Sequence, residues 1–513
     1  MDTLIWGAIV RMSQALLAAC PTIVVGWLVA AVFERILGRN GTLKLFGGHT
    51  WRQLPQAWLL GMLLPVCSLG VIPVMAQMRK SGIAGGTILA FGLTAPLFNP
   101  ISVLYGLTLS DPFALFIFCM ASLTIVTVMG VVWDWLFPGN WLESEELPKV
   151  PYGLRRVAAV ALSICQQAYS RSTFYMLLAI VGVGLLSMVL PAGILQRSAN
   201  KHDPFAPLTM AGVATLAYVT PMVAIVQVAS MFQHGNSIGA AFTLLVLGTG
   251  VNLGLLYWIV VHYQWRRALV WLGCLLIVVL AIGYGVDGPL FPKGVEPADH
   301  THAFDNYCNP FGYGAVDLPA TSVRLIRDAW KPEEIASGVF ALFLLLIGWI
   351  QVRFDRTDKW MAAVCAPKAL AAQSKSQFDI VLPNWVIAAV SLVGLVVASV
   401  GACFLYYPPV SQIRKEMTEV QAEMFTAAAS REWDGLEFWI PVQEDWAHKL
   451  TVSSYLRGKP LTRFQQMRLK VFLSKLEMLE HAAEDRELEE VDLWNRQANQ
   501  ALSRFKQTIP IEK

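Results

Sequence analysis

Long apolar runs alternate with short polar connectors up to residue 407. A helix that crosses a bilayer needs about 20 apolar residues, and about ten runs reach that length. The predicted spans are 14–37, 54–78, 83–109, 112–137, 173–195, 206–232, 237–260, 265–286, 335–352 and 384–407. The pattern therefore predicts an all-α, polytopic membrane protein.

Residues 408–513 are charged and read as a different domain. Apolar residues recur there at helical spacing, at Ile413, Met417, Val420 and Met424 and again at Met467, Val471, Leu476 and Leu479. With no strand alternation between these stripes, we predict a small soluble bundle or hairpin of helices. Its core is the expected place for Trp433, Trp439 and Trp446, which could otherwise dock the domain on the membrane surface.

Helix breakers interrupt the apolar stretch Leu63–Leu104 twice, near Pro65 and near Pro96. Lipid offers no partner for the backbone groups that a break exposes, so such breaks persist only inside protein or along a cavity. Transporters place discontinuous helices of this kind at their binding sites. We therefore predict two broken helices, lying side by side around a turn at residues 78–82.

A second copy of this stretch occurs at Pro221–Leu256. The pairs that share one offset are Gly82 with Gly235, Gly86 with Gly239, and Asn99 with Asn252. Pro73 and Pro221 also correspond, although the second copy has extra residues before its glycine. Chance likeness between two glycine-rich membrane helices is the alternative, because Gly and Pro are common there. We predict a duplicated core over residues 1–286, with repeats at about 14–137 and 173–286.

The breaks carry the predicted substrate site. Asn is a favoured N-cap and Pro a favoured first helical residue, so a half-helix is expected to start at Asn99-Pro100, and Asn252 repeats the arrangement. Ser68 is predicted to cap the half-helix that runs through Pro73. The predicted substrate-binding residues are Cys67, Ser68, Gly70, Pro73, Thr94, Pro96, Asn99, Pro100, Thr249, Gly250 and Asn252. Each polar member could instead bond a neighbouring helix.

Composition narrows the function. Hydrophobic residues make up 55% of the chain and charged residues 15%, against about 25% charged in soluble proteins. The net charge of +3 does not indicate a nucleic-acid partner. Charged residues lie at the ends of the spans, as Glu34 and Asp134 do, and not in their middles. Because buried carboxylates serve proton and cation pathways, a neutral, anionic or thiophilic solute is expected.

Neither an enzyme nor a cofactor is predicted. The chain has no HExxH or GxSxG motif and no embedded pair of carboxylates. The eight cysteines include no CxxC pair, so a zinc finger is not supported. His300, His302 and Cys308 could hold a soft metal, but an exposed loop yields the same residues by chance, and no metal is predicted.

Orientation follows from lysine and arginine in short loops, which favour the cytoplasm. With both termini outside, residues 287–334 form an outward loop, and the helices of 335–407 flank a cytoplasmic loop. The charged tail then also faces outward. Arg79 and Lys80 fall on the wrong side in this arrangement. The bacterial inner membrane is the predicted location.

The breaker motifs resemble those of the ArsP-type predicted permeases over residues 15–285. The resemblance lies in Pro65–Pro73, Arg79–Gly82, Thr94–Pro96, Asn99 and Gly248–Asn252. It implies a permease, and some members of that family export trivalent organoarsenicals. Members usually have Cys-Ser-Cys-Gly where this chain has Cys67-Ser68-Leu69-Gly70, so a grip on arsenic by two thiolates is not expected here.

Two functions from different classes are consistent with these patterns. The first is a secondary permease in the bilayer, with a small molecule or ion as substrate. The second is a non-transporting scaffold whose permease body anchors residues 408–513 for a protein partner. A stoichiometric partner on the tail, without a substrate phenotype, would favour the scaffold.

Overall fold

The computed structural model describes residues 2–46, 52–98, 100–109, 112–138, 155–292, 295, 301, 303–312, 317–354 and 384–509. Every regular element in these ranges is helical, which confirms the predicted all-α class. The chain divides into two compact units, one of residues 1–103 and 110–399, the other of residues 104–109 and 400–513.

The helices up to residue 406 build the apolar part of the chain. They are α1 (Asp2–Val32), joined by a π-helical turn (Phe33–Leu37) to α2 (Gly38–Leu45), then α3 (Gln53–Leu63), α4 (Val71–Lys80), α5 (Gly85–Thr94), α6 (Pro100–Leu109), α7 (Pro112–Leu136), α8 (Arg155–Ala168), α9 (Arg171–Val189), α10 (Ala206–Leu216), α11 (Pro221–Gln233), α12 (Ile238–Gly250), α13 (Leu253–Tyr263), α14 (Trp265–Asp287), α15 (Leu318–Asp328), α16 (Pro332–Arg353) and α17 (Asn384–Tyr406).

Five helical segments of the described residues are long and apolar enough to cross a membrane. They are Asp2–Leu45, Pro112–Leu136, Arg171–Val189, Trp265–Asp287 and Pro332–Arg353. The pair α12 and α13, bent by 57° at its break, makes a sixth if it counts as one span. These segments match six of the ten predicted spans, and the other four are not confirmed as spans.

The predicted span 54–78 folds as a hairpin whose two arms are α3 and α4. Near the start of α3, Leu54 packs on Gly130 of α7. The turn after α4 leads directly into α5, where the amide of Gly86 donates to Oδ1 of Asp134 at 3.0 Å. Both ends of the hairpin therefore lie at the carboxyl end of α7, and 54–78 is not confirmed as a span.

The predicted span 206–232 is a second hairpin, formed by α10 and α11. The amide of Ser237, just after α11, donates to the carbonyl of Ala199, just before α10, at 2.9 Å. The amide of Gly239 donates to Oδ1 of Asp287 at 2.7 Å. Both ends of this hairpin therefore lie at the carboxyl end of α14.

The two hairpins enter from opposite ends of the helical layer. At the carboxyl end of α7, the Phe137 ring lies 5.2 Å from the guanidinium of Arg267, which is at the amino end of α14. Trp133 and Tyr263 meet there as well, with ring centroids 5.1 Å apart. Helices α7 and α14 are thus antiparallel, and each carries one hairpin at its carboxyl end.

The tail forms four long helices around one apolar core. They are α18 (Val410–Ser430), α19 (Trp433–Leu456), α20 (Arg463–Glu484) and α21 (Leu488–Thr508). The predicted stripe Ile413, Met417, Val420 and Met424 is fully in this core. In the second stripe Leu476 and Leu479 are buried, but Met467 and Val471 are exposed because Leu469 and Phe472 take the inward face. The three tryptophans pack on the edge of the core.

Candidate functional site

The tips of the two hairpins meet at Cys67 and Tyr218. Cys67 lies in the break between α3 and α4, and Tyr218 lies in the break between α10 and α11. Thr22 of α1 donates its hydroxyl to Sγ of Cys67 at 2.8 Å. The Tyr218 hydroxyl is near both of these side chains but makes no hydrogen bond to a described residue. Cys67 is 0% and Tyr218 4% exposed. Two interrupted backbones thus come together in the interior.

The other two breaks, which end α5 and α12, join the same region. A Cβ on Gly61, in the last turn of α3, would lie 3.0 Å from the amide nitrogen of Ala95, so those backbones are in close contact. A Cβ on Gly250 would lie 3.4 Å from the carbonyl oxygen of Leu93, near the end of α5. Small residues at these positions let the helix ends approach each other.

A backbone hydrogen bond completes a ring of four breaks. The amide of Val219 donates to the carbonyl of Gly248, near the end of α12, at 3.3 Å. Each break is in contact with two others. The break after α3 meets the break after α10 through Cys67 and Tyr218, and it meets the break after α5 through Gly61. The break after α12 contacts α5 through Gly250 and the break after α10 through Val219. The four breaks are residues 64–70, 95–98, 217–220 and 251–252.

Three polar side chains on the ring, those of Ser68, Tyr218 and Asn252, each have a buried hydrogen-bonding atom without a partner in the described residues. Asn252 caps α13 as predicted, since its Oδ1 accepts from the amide of Leu255 at 2.8 Å. Its Nδ2 has no partner in the part of the chain that the structure describes, and the same holds for Oγ of Ser68. Both residues are 0% exposed. Buried polar groups normally have partners, so these atoms are exceptions.

Ser68 does not cap α4, in contrast to the prediction. The N-cap is Gly70, and no side chain caps this helix. The amides of Val71 and Ile72 donate to the carbonyls of Cys67 and Leu69 at 3.0 and 3.1 Å. Backbone carbonyls thus satisfy the first amides of α4, which is why the Ser68 hydroxyl stays unused.

The predicted threonines bond within their own helices. Thr94 donates to the carbonyl of Ala90 at 2.7 Å, and Thr249 donates to that of Leu245 at 2.6 Å. Both lie in the last turn before a break, and both are buried. Their hydroxyl protons are therefore engaged, and only their oxygen lone pairs remain for another partner.

The proline and glycine members of the predicted site shape the breaks. Pro73 is buried in the first turn of α4, Pro96 lies in the turn after α5, and Pro100 opens α6 as predicted. Gly70 packs so closely on α1 that a Cβ there would collide with the carbonyl oxygen of Thr22. Asn99 lies outside the described residues.

Two carboxylates that the sequence reasoning missed fasten the hairpins. Asp134 accepts from Gly86, and Asp287 accepts from Gly239 and also from the hydroxyl of Ser237 at 2.7 Å. In each pair the aspartate follows its glycine by 48 residues. The offset that relates Gly82 to Gly235 also relates these aspartates, and this regularity in the sequence could have identified them.

The weak metal prediction gains no support. His300 and His302 lie outside the described residues, and Cys308 is buried. The carbonyl oxygen of Cys308 accepts from Nε of Arg11 at 2.9 Å. Within the described ranges no group of three His, Cys, Asp or Glu side chains is placed to hold a metal ion.

Comparisons with known proteins agree with a membrane transporter. Residues 6–287 match the family ArsP_1, described as predicted permeases. The chain is 22% identical to the UPF0718 protein YcgR of Bacillus subtilis, over 54% of this chain and 94% of that protein. It is 23% identical to the UPF0718 protein MJ0584 of Methanocaldococcus jannaschii, over 25% of this chain and 35% of that protein. No solved structure matches.

The family match spans more than half of the sequence and includes all four breaks. It confirms the predicted resemblance, and with the apolar helices it identifies an integral membrane protein. A transporter is thereby favoured over an enzyme, and the scaffold alternative is not favoured. The chain belongs to the ArsP_1 family of predicted permeases.

Proposed function

We propose that this protein is a secondary transporter whose solute passes through the ring of four breaks. The observation that carries the proposal is the meeting of two hairpin tips, at Cys67 and Tyr218, beside the unused polar groups of Ser68 and Asn252. Interrupted backbone inside a membrane protein is tolerated where it is buried or lines a cavity, and transporters bind their substrates at such places.

The two halves are proposed to be inverted repeats. Matching aspartate–glycine contacts, on α7 with α5 and on α14 with α12, support a common ancestry of the halves. The opposite entry of the two hairpins supports the inversion. In this proposal 54–78 and 206–232 are re-entrant hairpins, so that about eight of the ten predicted spans cross the bilayer.

This topology removes the conflict over Arg79 and Lys80. A re-entrant first hairpin returns these residues to the side on which α2 ends, and Gly82 lies against the guanidinium of Arg39. That side holds Arg39, Arg79, Lys80, Arg266 and Arg267 and becomes the cytoplasm in this proposal, whereas Arg197 and Lys201 lie on the opposite side with the second hairpin. Both termini face outward, and the bacterial inner membrane is the proposed location.

Alternating access would come from rocking one half against the other. The contact between Cys67 and Tyr218 joins the halves, so it is the contact that such a motion would open. The proposed substrate is a small neutral, anionic or thiophilic solute, bound by Ser68, Asn252 and the Cys67 thiol. The remaining predicted site residues would shape the pathway, including Asn99.

A growth-sensitivity screen of a deletion strain, covering metalloids, metals and small anions, identifies a solute for the test. We then expect Ser68→Ala and Asn252→Ser to reduce its transport at least about tenfold. Ser is a good N-cap, so the second variant removes the amide while keeping the helix start. Thr124→Val, which removes an exposed hydroxyl from α7, is the matched control.

Full transport by both site variants, at normal protein levels, would refute the site. The topology has its own test, which needs no substrate. Lys80 and Gln233 are exposed and are the last residues of α4 and α11. Cysteines introduced at these two positions should react with a membrane-impermeant thiol reagent from opposite sides of the membrane. Labelling of both from one side would refute the inversion.

A further inference from the structure

Arg79 makes an unusual contact at the cytoplasmic end of the proposed pathway. Its guanidinium carbon lies 5.8 Å from the ring centroid of Tyr263, so a residue of the first half reaches over a residue of the second. Arg79 is half-buried, and its Nε is inaccessible and without a partner. No ion pair of Arg79 occurs among the described residues. A guanidinium offers five N–H donors, and that of Nε is buried with no acceptor in the described residues.

Two further donors without partners surround the same tyrosine. The indole rings of Trp133 and Trp258 lie 5.1 and 5.9 Å from the Tyr263 ring. Both are buried, at 2% and 0% exposure, and neither Nε1 has a hydrogen-bond partner in the described residues. Indole N–H can only donate, and buried donors are rarely left unsatisfied. Nε1 of Trp133 faces Gly85, where a Cβ would lie 2.5 Å from it, so Trp258 is the indole of this pair that is left to donate to a bound acceptor.

The charges around this cluster have one dominant sign. Arg79 and Arg171 both lie within electrostatic range of Tyr175 and His262. Asp134 also lies near Tyr263, but its Oδ1 already accepts the Gly86 amide. The cluster of Arg79, Trp133, Trp258 and Tyr263 thus combines the charge of Arg79 with N–H donors, and the Asp134 carboxylate lies beside it.

We propose that this Arg79 cluster binds a compact oxyanion, and that the transported solute carries such a group as it enters from the cytoplasm. The inference rests on the proposed transport function and narrows its substrate class to anions. Arginine pairs well with carboxylate or phosphate oxygens because its N–H groups form a planar fork. Trp258, whose ring lies 5.9 Å from that of Tyr263, adds an indole N–H without a partner in the described residues.

An alternative role for Arg79 is to anchor the cytoplasmic loop after α4, but that role explains fewer of its contacts. A basic residue in the last turn of a helix favours its negative end and anchors a cytoplasmic loop. Lys80, the next residue, is exposed and fills that role. Anchoring does not require Arg79 to point inward over a ring of the other half, nor does it account for the indole N–H of Trp258.

Equilibrium binding of radiolabelled inorganic phosphate and sulfate to the purified full chain tests the inference. We expect saturable binding of at least one of these anions. Arg79→Gln should weaken it about tenfold or more, because a charged donor is lost. Trp258→Phe keeps a ring and loses one N–H, so it should weaken binding about threefold to tenfold. Trp133→Phe should bind normally, because the N–H of Trp133 faces Gly85. Lys80→Gln is the matched control and should bind normally.

Absence of saturable binding of both anions, or binding unchanged in folded Arg79→Gln protein, would overturn the inference. Arg79→Lys keeps the charge but loses the planar fork, so its affinity for the anion should lie between those of the wild type and Arg79→Gln. Such an intermediate affinity would show that the loss in Arg79→Gln is not caused by misfolding. The binding assay does not depend on transport, so a negative result would contradict the anion inference without contradicting the proposed transport function. If Asn252→Ser abolishes transport while phosphate binding is absent, only the anion inference falls.

Discussion

The two hairpins solve the same backbone problem in different ways. In the second hairpin, α11 begins with Pro221, and Oγ1 of Thr220 accepts from the amide of Val223 at 3.4 Å. A side chain of the break thus caps the next half-helix. In the first hairpin, α4 has no side-chain cap, and the polar residues of the break, Cys67 and Ser68, serve no capping purpose.

This difference distinguishes polar groups that stabilise a helix from polar groups that have no role in the helix. A capping hydroxyl is committed to its own helix, whereas an unused hydroxyl in a buried break is free to bind a solute. We therefore expect the first hairpin to supply more of the chemistry of the pathway and the second to supply more of its framework. Asn252 combines both roles, because its oxygen caps α13 while its amide nitrogen is unused.

The largest expected effects come from glycines where each half is most tightly packed. A Cβ on Gly26 of α1 would collide with the backbone of Gly70 in the first hairpin, and a Cβ on Gly254 of α13 would collide with the carbonyl of Tyr175. Backbone atoms cannot move aside as side chains can. Gly26→Ala and Gly254→Ala should each lower the free energy of unfolding by about 3 kcal/mol.

Thermal unfolding in detergent, with the yield of folded protein, measures this loss. Gly273→Ala on α14, where nothing lies within 4 Å, is the control and should cause none. If Gly26→Ala is tolerated while Gly254→Ala is not, the first hairpin moves relative to α1 in solution, and the halves are less alike than their contacts indicate.

The aspartates that fasten the hairpins should differ in strength. Asp287 accepts two hydrogen bonds, from Ser237 and Gly239, whereas Asp134 accepts one, from Gly86. Because a hydrogen bond to a carboxylate contributes about 1–2 kcal/mol, Asp287→Ala should destabilise the protein by about 3 kcal/mol and Asp134→Ala by about half of that.

Chemical or thermal unfolding of the two variants gives the comparison. The Asn variants keep an acceptor oxygen, so each should lose less stability than the Ala variant at the same position. Equal losses for both Ala variants would show that the Ser237 bond adds nothing. The second hairpin would then be fastened no more firmly than the first.

Sequence reasoning located the breaks but not the direction of the chain through them. Prolines and glycines mark the backbone interruptions, and the capping preference of Asn placed the start of α13 correctly. Hydropathy is the same whether a broken segment crosses or returns, so 54–78 and 206–232 were read as spans. The difference depends on contacts such as that of Ser237 with Ala199, which no local pattern records.

The missed site residues follow the same logic. Thr22 and Tyr218 lie in apolar surroundings with no motif, and only the packing of α1 and the second hairpin brings them to Cys67. The unused donors of the Arg79 cluster were equally invisible, because a tryptophan in an apolar run reads as core. The constant offset in residue number between the two copies could have paired Asp134 with Asp287, because it applies along the whole length of each half.

The smallest stability effects should separate the two hairpins most clearly. Thr220→Ala removes a cap with a long hydrogen bond and should cost about 0.5–1 kcal/mol. Ser68→Ala removes a buried hydroxyl without a partner in the described residues, so its unfolding free energy should stay the same or rise slightly. Differential scanning fluorimetry on the purified variants checks both.

Transport should show the opposite order. Thr220→Ala is expected to keep most of the activity, because its hydroxyl is committed to α11, while Ser68→Ala loses activity without losing stability. A folded, stable and inactive Ser68→Ala protein beside a weakened but active Thr220→Ala protein would assign binding to the first hairpin and framework to the second. If both variants lost stability and activity in parallel, the hairpins would be equivalent, and the unused hydroxyl would have no special part in the pathway.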